Sequence, residues 1–419
     1  MEKFIICGGN KLYGKVNIQS AKNSVLPLIS ASIIANGKTR IKNCPKIKDV
    51  FVMCDILRAI GGKAEFDGED LTIDTRNVNN WRLPSDLTGQ IRSSLFLVGA
   101  LIHRFGYASI KMPGGCKIGA RPIDIHIDAL KSFGVGVKED DEIIFSAKSL
   151  KNATVFLRFP SVGATENAVM VAVGRDGVSK IKNCAKEPEI VDLQNYLNAV
   201  GCKVSGAGTS EITVEGVKTI KCDEIEFLPT KDRIEVGTFI LATACTGGEI
   251  QLDEEDIQIS YPLMKIFEDN TCKITYISDR IYNIAFNQPL KGFGRVITGP
   301  YPDFPTDLQP QLTACACSAN GLTAVVEKVF PERFSYAEEL KILGADLSVH
   351  GNSCLIQGGC LHGGKVIAGD LRGGAALVIG ALFAEGQTEV KGVGHIDRGY
   401  FKLEDKLSLL GAKIKRVSY

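Results

Sequence analysis

Two hydrophobic patterns alternate along the chain. In the first, nearly every position is apolar: NSVLPLISASII from Asn23, SSLFLVGALI from Ser93, ATENAVMVAV from Ala164, EVGTFILATA from Glu235 and AALVIGALFA from Ala375. A helix that is apolar on all sides must be buried on all sides, so these segments predict helices inside their subdomains. In the second pattern amphipathic segments close on leucine, two residues, an apolar residue and glycine. The copies are LRAIG at Leu57, LKSFG at Leu130, LNAVG at Leu197, LKILG at Leu340 and LSLLG at Leu407, with a degenerate MKIFE at Met264. Glycine there predicts a helix stop.

The separations of these copies are 73, 67, 67, 76 and 67 residues. About twenty residues before each leucine, a turn entering a strand is predicted: at Gly37, Gly106, Gly177, Gly248, Gly321 and Gly386. One copy alone would be only the ordinary end of an amphipathic helix, whereas six in near register form a repeat. The period suits small α/β subdomains grouped three and three into two globular halves. No low-complexity linker separates the halves, and the stretch EFLPTKDR around Pro229 is the expected crossing. The N-terminal strand is assigned to the far half, which places residues 21–229 in one half and 1–20 with 230–419 in the other.

Composition narrows the function classes. Forty-nine Lys and Arg against 48 Asp and Glu leave no cationic coat for nucleic acid. The start MEKFIICGGN lacks the long apolar region of a secretory signal, and AALVIGALFA is half the ~20 residues a membrane helix needs. Thirteen cysteines, an odd number, with the closest pair at Cys315 and Cys317, argue against a disulfide framework and against zinc. A cytoplasmic protein with no metal, no cofactor, no membrane and no nucleic-acid partner is expected, and nothing points to an obligate protein partner.

GNKLYGKV from Gly9 nearly spells a phosphate loop, but Val16 replaces the required hydroxyl and VNI reads as a strand, so a hairpin turn is expected. GFGRVI and GVGHID both lack the third glycine of a dinucleotide fingerprint.

The starts of the apolar segments carry the chemistry. Lys22 and Asn23, Arg92, Ser161 with Gly163 and Thr165, Asp232 with Arg233, and Arg372 each stand at the front of one. Helix N-termini aimed at one surface concentrate positive partial charge, which suits a polyanionic substrate. Asp307 follows the rigid stretch PYPDFP, where it reads either as an N-cap or as a base toward a hydroxyl. Arg398 precedes a final helix whose Lys402, Glu404, Asp405 and Lys406 read as a solvated face. In KMPGGCKIGARPIDIHI, Lys117 and Arg121 favour the thiolate of Cys116 on a glycine-rich segment suited to a lid. His103 and His126 are the nearest bases for a thiol hydrolase, and His126 between Ile125 and Ile127 reads as structural.

AKNSVLPL, PGGCKIGARPIDIHI, PSVGATEN, KEPEIVDL, DRIEVGTF, PYPDFPTDLQPQ and DRGYFKLEDKL, in this order, resemble the UDP-N-acetylglucosamine enolpyruvyl transferase family from near residue 5 to the C-terminus. The resemblance implies an inside-out α/β barrel of two domains, each of three repeated subdomains with buried helices, and an active site in the cleft between them. It implies transfer of the enolpyruvyl group of phosphoenolpyruvate to the 3'-hydroxyl of UDP-N-acetylglucosamine with release of phosphate, the first committed step of peptidoglycan synthesis.

By the same resemblance, Lys22, Arg121 and Arg398 hold phosphoenolpyruvate, and Arg92 and Arg372 complete a cationic floor. Asp307 takes the hydroxyl proton, and Cys116 matches the lid cysteine alkylated by fosfomycin. Asn23 touches the sugar. Pro122, Ile123, Asp124 and Ile125 border the uracil, Ser161, Val162 and Gly163 the diphosphate, and Val329 the nucleotide end. LRGGAA after Arg372, Phe96 and Pro310 depart from the family's usual residues, and the glycines are expected to loosen the helix start at Arg372. The alternatives are an enzyme of the enolpyruvyl shikimate-3-phosphate synthase class and a non-catalytic nucleotide-sugar-binding repeat protein.

Overall fold

Gly61, Gly134, Gly201, Gly344 and Gly411, the glycines that close the leucine-containing pattern, all have positive φ, between +88° and +100°. Each follows an outer helix: Lys48–Ala59, Asp124–Ser132, Pro188–Ala199, Ala337–Ile342 and Leu403–Leu409. A residue with a Cβ is strained in this left-handed region, so glycine is the residue that lets the chain turn from helix into the next strand. The degenerate copy at Met264 has no such glycine, and there the helix Tyr261–Met264 runs on into a 3-10 turn, Lys265–Phe267.

The computed structural model describes residues 2–418 except 112–122, 175, 218–219, 221, 268–271, 279 and 331. The described residues form two compact units, those between 19 and 230 in one, and those up to 18 with 231 onward in the other.

In the unit of residues 19–230, three inner helices pack against one another: α1 (Lys22–Ala35), α2 (Phe96–Phe105) and α3 (Val162–Ala172). Twelve of the 14 residues of α1 are buried, as an all-apolar helix requires. Three sheets surround them. The strand entered from each turn glycine, namely Lys38–Ile41, Tyr107–Ile110 and Gly177–Lys182, lies inside its sheet or pairs antiparallel with the next strand. Parallel partners sit on the other side: Glu224–Phe227 beside Lys38–Ile41, Thr154–Phe156 beside Gly177–Lys182, and a single bridge from Arg82 to Ser109.

The other unit repeats the plan with α4 (Arg233–Thr246), α5 (Gln309–Ala316) and α6 (Leu371–Phe383), again in mutual contact. Its turn glycines lead into Glu249–Asp253, Leu322–Val326 and Gln387–Lys391, with parallel neighbours Tyr13–Lys15, Gly294–Ile297 and Lys365–Ile367. In the last two cases the inner helix is the crossover that joins two parallel strands.

One expectation for the N-terminus is corrected. GNKLYGKV is not a hairpin, because Glu2–Cys7 and Tyr13–Lys15 belong to different sheets and the segment between them crosses from one to the other. The strand Glu2–Cys7 lies between Gln387–Lys391 and Lys413–Ser418, antiparallel to both. Among the described residues, eight cysteines, including Cys44, Cys54, Cys245 and Cys315, are buried and free. Among the described residues, no helix is long and apolar enough to cross a membrane.

Candidate active site

The front ends of the inner helices carry the predicted polar residues. Lys22 is the first residue of α1, whose N-cap Ala21 offers no side-chain cap. Its Nζ lies 2.7 Å from Asp49 Oδ2, and both side chains are largely buried. One turn into the helix, Ser24 Oγ donates to Asp192 Oδ2 at 2.6 Å, so α1 is anchored by a second buried carboxylate. Asn23 is half-buried and does not cap the helix, whose N-cap position is Ala21. Arg92 begins the 3-10 turn Arg92–Leu95 that leads into α2.

Ser161 is the N-cap of α3 and accepts from Ala164 N, leaving Ser161, Val162 and Gly163 half-buried at the helix mouth. Asn167, fully buried within α3, accepts from Gly99 N at 2.8 Å and donates to Leu95 O. Its amide also lies 3.0 Å from His126 Nδ1. With Nδ1 accepting, the ring proton belongs on Nε2, the edge facing Gly163, where an added Cβ would come within 3.2 Å. His126 is thus the structural residue its apolar neighbours suggested. It also fixes the N-terminal end of Asp124–Ser132, with Ile123, Asp124 and Ile125, beside the Ser161–Gly163 turn. Asp124 is ion-paired to Arg158. His103, the other candidate thiol base, is held neutral at pH 7: burial, aided by Arg104, lowers its pKa to about 4.

Glu166 was unforeseen as a singular group. It lies in α3 with no exposed surface and neither carboxylate oxygen hydrogen-bonded. Burial, then the charges of Glu189 and Glu187, push its pKa well above the ordinary range, so it holds its proton.

In the other unit Asp307 occupies the middle of the 3-10 turn Thr306–Leu308, and the N-cap position belongs to Pro305. The N-cap reading is therefore set aside, and the carboxylate is instead gripped by two arginines. Arg372 donates to Oδ2 from Nε at 3.3 Å and Nη2 at 3.1 Å, and Arg333 Nη2 stands 2.8 Å from Oδ1. Both guanidinium side chains are 4% exposed against 29% for Asp307.

Burial opposes the charge of Arg372, but Tyr400, Asp307 and Asp232 outweigh it and raise its pKa above the usual arginine value. The guanidinium lies 5.4 Å from the Tyr400 ring centre. The tyrosine hydroxyl is held by Thr238 Oγ1 of α4 and Gln311 Nε2 of α5. Arg333 Nε and Arg372 Nη1 remain buried without an acceptor. Buried cationic donors left over in this way suit an anionic ligand.

The start of α6 is not loose. Asp370 caps it through Arg372 N and Gly373 N, both at 3.0 Å, and a Cβ on Gly373 would fall 2.6 Å from Asp370 Oδ2 and 2.9 Å from Tyr336 Cβ.

Arg398 is half-buried on the turn after the short helix Val393–Ile396. Its neighbour Asp397 is held bidentately by Arg416 at 2.7 and 2.9 Å, and Arg416 Nε also donates to Glu404 at 2.6 Å. Lys406 is paired with Glu235 of α4 at 2.5 Å. The reading of Glu404 and Lys406 as a solvated face is thus corrected, because both are spent on ion pairs that fasten the last helix. Lys402 and Asp405 are exposed.

Asp307 and Arg372 are in direct contact, with Arg398 on another turn of the same unit, and Val329 lies on the loop after Leu322–Val326, its N–H donating to Glu327 at 2.7 Å. Cys116, Arg121 and Pro122 lie outside the described residues. Arg333 was missed because its partner Asp307 is remote in sequence; its placement in the turn-rich KVFPERF gave no local signal.

A family model described as EPSP synthase (3-phosphoshikimate 1-carboxyvinyltransferase) matches residues 6–407. The chain is 45% identical over 419 residues to UDP-N-acetylglucosamine 1-carboxyvinyltransferase 2 of Caldanaerobacter subterraneus subsp. tengcongensis, covering 100% of both chains. It is 40% identical over 418 residues to UDP-N-acetylglucosamine 1-carboxyvinyltransferase of Halothermothrix orenii, again covering 100% of both. Among solved structures, the enolpyruvyl transferase NikO from Streptomyces tendae superposes with a TM-score of 0.89 at 26% identity, covering 100% of this chain and 99% of that one. An EPSP synthase from Acinetobacter baumannii, at a TM-score of 0.74 and 17% identity with 100% of each chain covered, shares the fold.

Proposed function

From the premise that this chain belongs to the family of UDP-N-acetylglucosamine 1-carboxyvinyltransferases, within the wider EPSP synthase family, we propose that it transfers the enolpyruvyl group of phosphoenolpyruvate to the 3'-hydroxyl of UDP-N-acetylglucosamine. The observation that carries this reading is the Asp307 carboxylate set between Arg333 and Arg372, with one buried nitrogen of each guanidinium still lacking an acceptor. A base for a hydroxyl and donors for an anion are what the reaction needs side by side.

A proton is added to C3 of phosphoenolpyruvate, and the positive charge left at C2 is stabilised by the ester oxygen. The 3'-hydroxyl attacks C2 while Asp307 takes its proton, giving a tetrahedral ketal. Loss of a C3 proton and of phosphate then restores the double bond in the product ether. Lys22, Arg121 and Arg398 bind the phosphate and carboxylate, with Arg92 and Arg372 contributing charge. A preorganised contact of this kind is typically worth about 3 kcal/mol at the transition state. Asn23 meets the sugar, the Ile123–Ile125 and Ser161–Gly163 segments the uridine diphosphate, and Val329 its far end. Cys116 serves as the lid thiol that assists proton transfer or product release and is alkylated when its sulfur opens the fosfomycin epoxide. The reaction belongs to peptidoglycan synthesis in the cytoplasm, in keeping with the free thiols among the described residues.

Phosphate release from phosphoenolpyruvate tests the reading: release is expected with UDP-N-acetylglucosamine and absent with shikimate 3-phosphate. The reverse preference would assign the chain to the shikimate acceptor, and no release with either would leave a binding protein. Cys116→Asp is expected to turn over and to resist fosfomycin, while Cys116→Ser is impaired. Fosfomycin-sensitive Cys116→Asp would remove the thiol from the inhibitor's site of action.

A further inference from the structure

Glu327 follows the strand Leu322–Val326 and has no exposed surface. Its Oε1 accepts from Thr298 Oγ1 at 2.8 Å, Val329 N at 2.7 Å and Phe330 N at 3.0 Å, and its Oε2 accepts from Thr306 Oγ1 at 2.9 Å. Thr306 is the residue before Asp307, and its Oγ1 also receives Arg333 Nη1 at 2.9 Å. The second amino group of the same guanidinium, Nη2, holds Asp307 Oδ1 at 2.8 Å.

A hydroxyl has one proton to give. With that proton committed to the acceptor-only carboxylate of Glu327, the Thr306 oxygen presents lone pairs to Arg333. Each bond in the run Glu327, Thr306, Arg333, Asp307 therefore has one possible donor: Thr306 donates to Glu327, and Arg333 donates both to Thr306 and to Asp307, which fixes the rotation of the guanidinium. We infer that Glu327 is a positioning residue for the transfer reaction: through Thr306 and Arg333 it orients the Asp307 carboxylate, and through Val329 it holds the turn at the nucleotide end. One buried carboxylate thereby sets both the base and one end of the acceptor's site. The inference rests on the reading of Asp307 as the base.

Steady-state kinetics on the full chain test it. Thr306→Val keeps the shape and removes both hydrogen bonds, and it is expected to lower kcat tenfold or more while the KM for phosphoenolpyruvate stays within twofold. Thr306→Ser, which restores the hydroxyl, is expected to return within threefold of the parent. In Glu327→Gln the amide nitrogen is expected on the Oε2 side, since the other side faces three donors. There it competes with Arg333 for Thr306, so the same loss of kcat is expected. This second variant decides the matter should Thr306→Val fail to fold.

A Thr306→Val or Glu327→Gln enzyme with full kcat overturns the inference, as does a Thr306→Ser enzyme no faster than Thr306→Val. Asp307→Asn separates the two levels. Full activity there removes the base reading itself, whereas an inactive Asp307→Asn beside a full-rate Thr306→Val removes only the relay.

Discussion

Glu166 shows how one side chain can carry a pH signature. Its carboxyl is enclosed in α3 without a hydrogen-bond partner, and burial followed by the charges of Glu189 and Glu187 raises its pKa well above the ordinary 4.5. The folded chain therefore keeps a proton that the unfolded chain gives up. By linkage, the contribution of this group to stability is fully present below the unfolded pKa and is lost as pH rises through the folded one. Glu166→Gln cannot ionise and should abolish that slope. Thermal melts are expected to show the variant gaining on the parent as pH rises from about 5 to about 8, and a constant gap across that range would contradict the assignment. The polar pair Glu166 and Asn167 inside ATENAVMVAV was visible in the sequence as an interruption of an apolar run. What could not be read there was the pairing of Asn167 with His126 and Gly99, which joins residues 41 and 68 positions away.

At the scale of elements, α2 and α3 approach most closely where Gly99 faces Asn167. A Cβ on Gly99 would lie 2.7 Å from Asn167 Oδ1 and 2.8 Å from its backbone oxygen. Because backbone lies on the other side, the contact cannot be relieved by rotating a side chain. Gly99→Ala is expected to destabilise the protein by about 1–3 kcal/mol despite alanine's higher helix propensity. Chemical denaturation measures this, and an unchanged or raised midpoint would refute it. Elements were the most legible level in the sequence, for physical reasons that can be named. The left-handed turn after each outer helix admits glycine far more readily than other residues, so Gly61, Gly134, Gly201, Gly344 and Gly411 announced the helix ends. All-round apolarity likewise announced the inner helices. Ion pairs left no such mark: Arg416 with Asp397 and Glu404, or Arg333 with Asp307, are made by common residue types whose partners only the fold selects.

For the whole molecule, the chain passes from one unit to the other after residue 18 and back after residue 230. The hydrogen bond from Ala21 N to Thr230 O, 2.8 Å long, brings both ends of the inserted segment together. A segment with its own three sheets, its own inner helices and adjoining ends meets the conditions for folding alone. Residues 19–230 expressed by themselves are expected to melt cooperatively, as followed by circular dichroism. Residues 231–419 by themselves are not, because the strand Glu2–Cys7 that separates Gln387–Lys391 from Lys413–Ser418 would be missing. Joining 1–18 to 231–419 through a flexible linker should restore folding, and cooperative melting of 231–419 without it would refute the account.

That same strand has a consequence for how the polypeptide comes off the ribosome. Both of its neighbours are made after the whole inserted segment, so it emerges with nothing to pair with until Gln387–Lys391 and Lys413–Ser418 have followed. Domains assemble as they are synthesised, and the inserted segment can therefore close while the leading strand still waits. The six residues Glu2–Cys7 act as a late clasp, joining in one sheet stretches of the nascent chain made before and after the inserted segment.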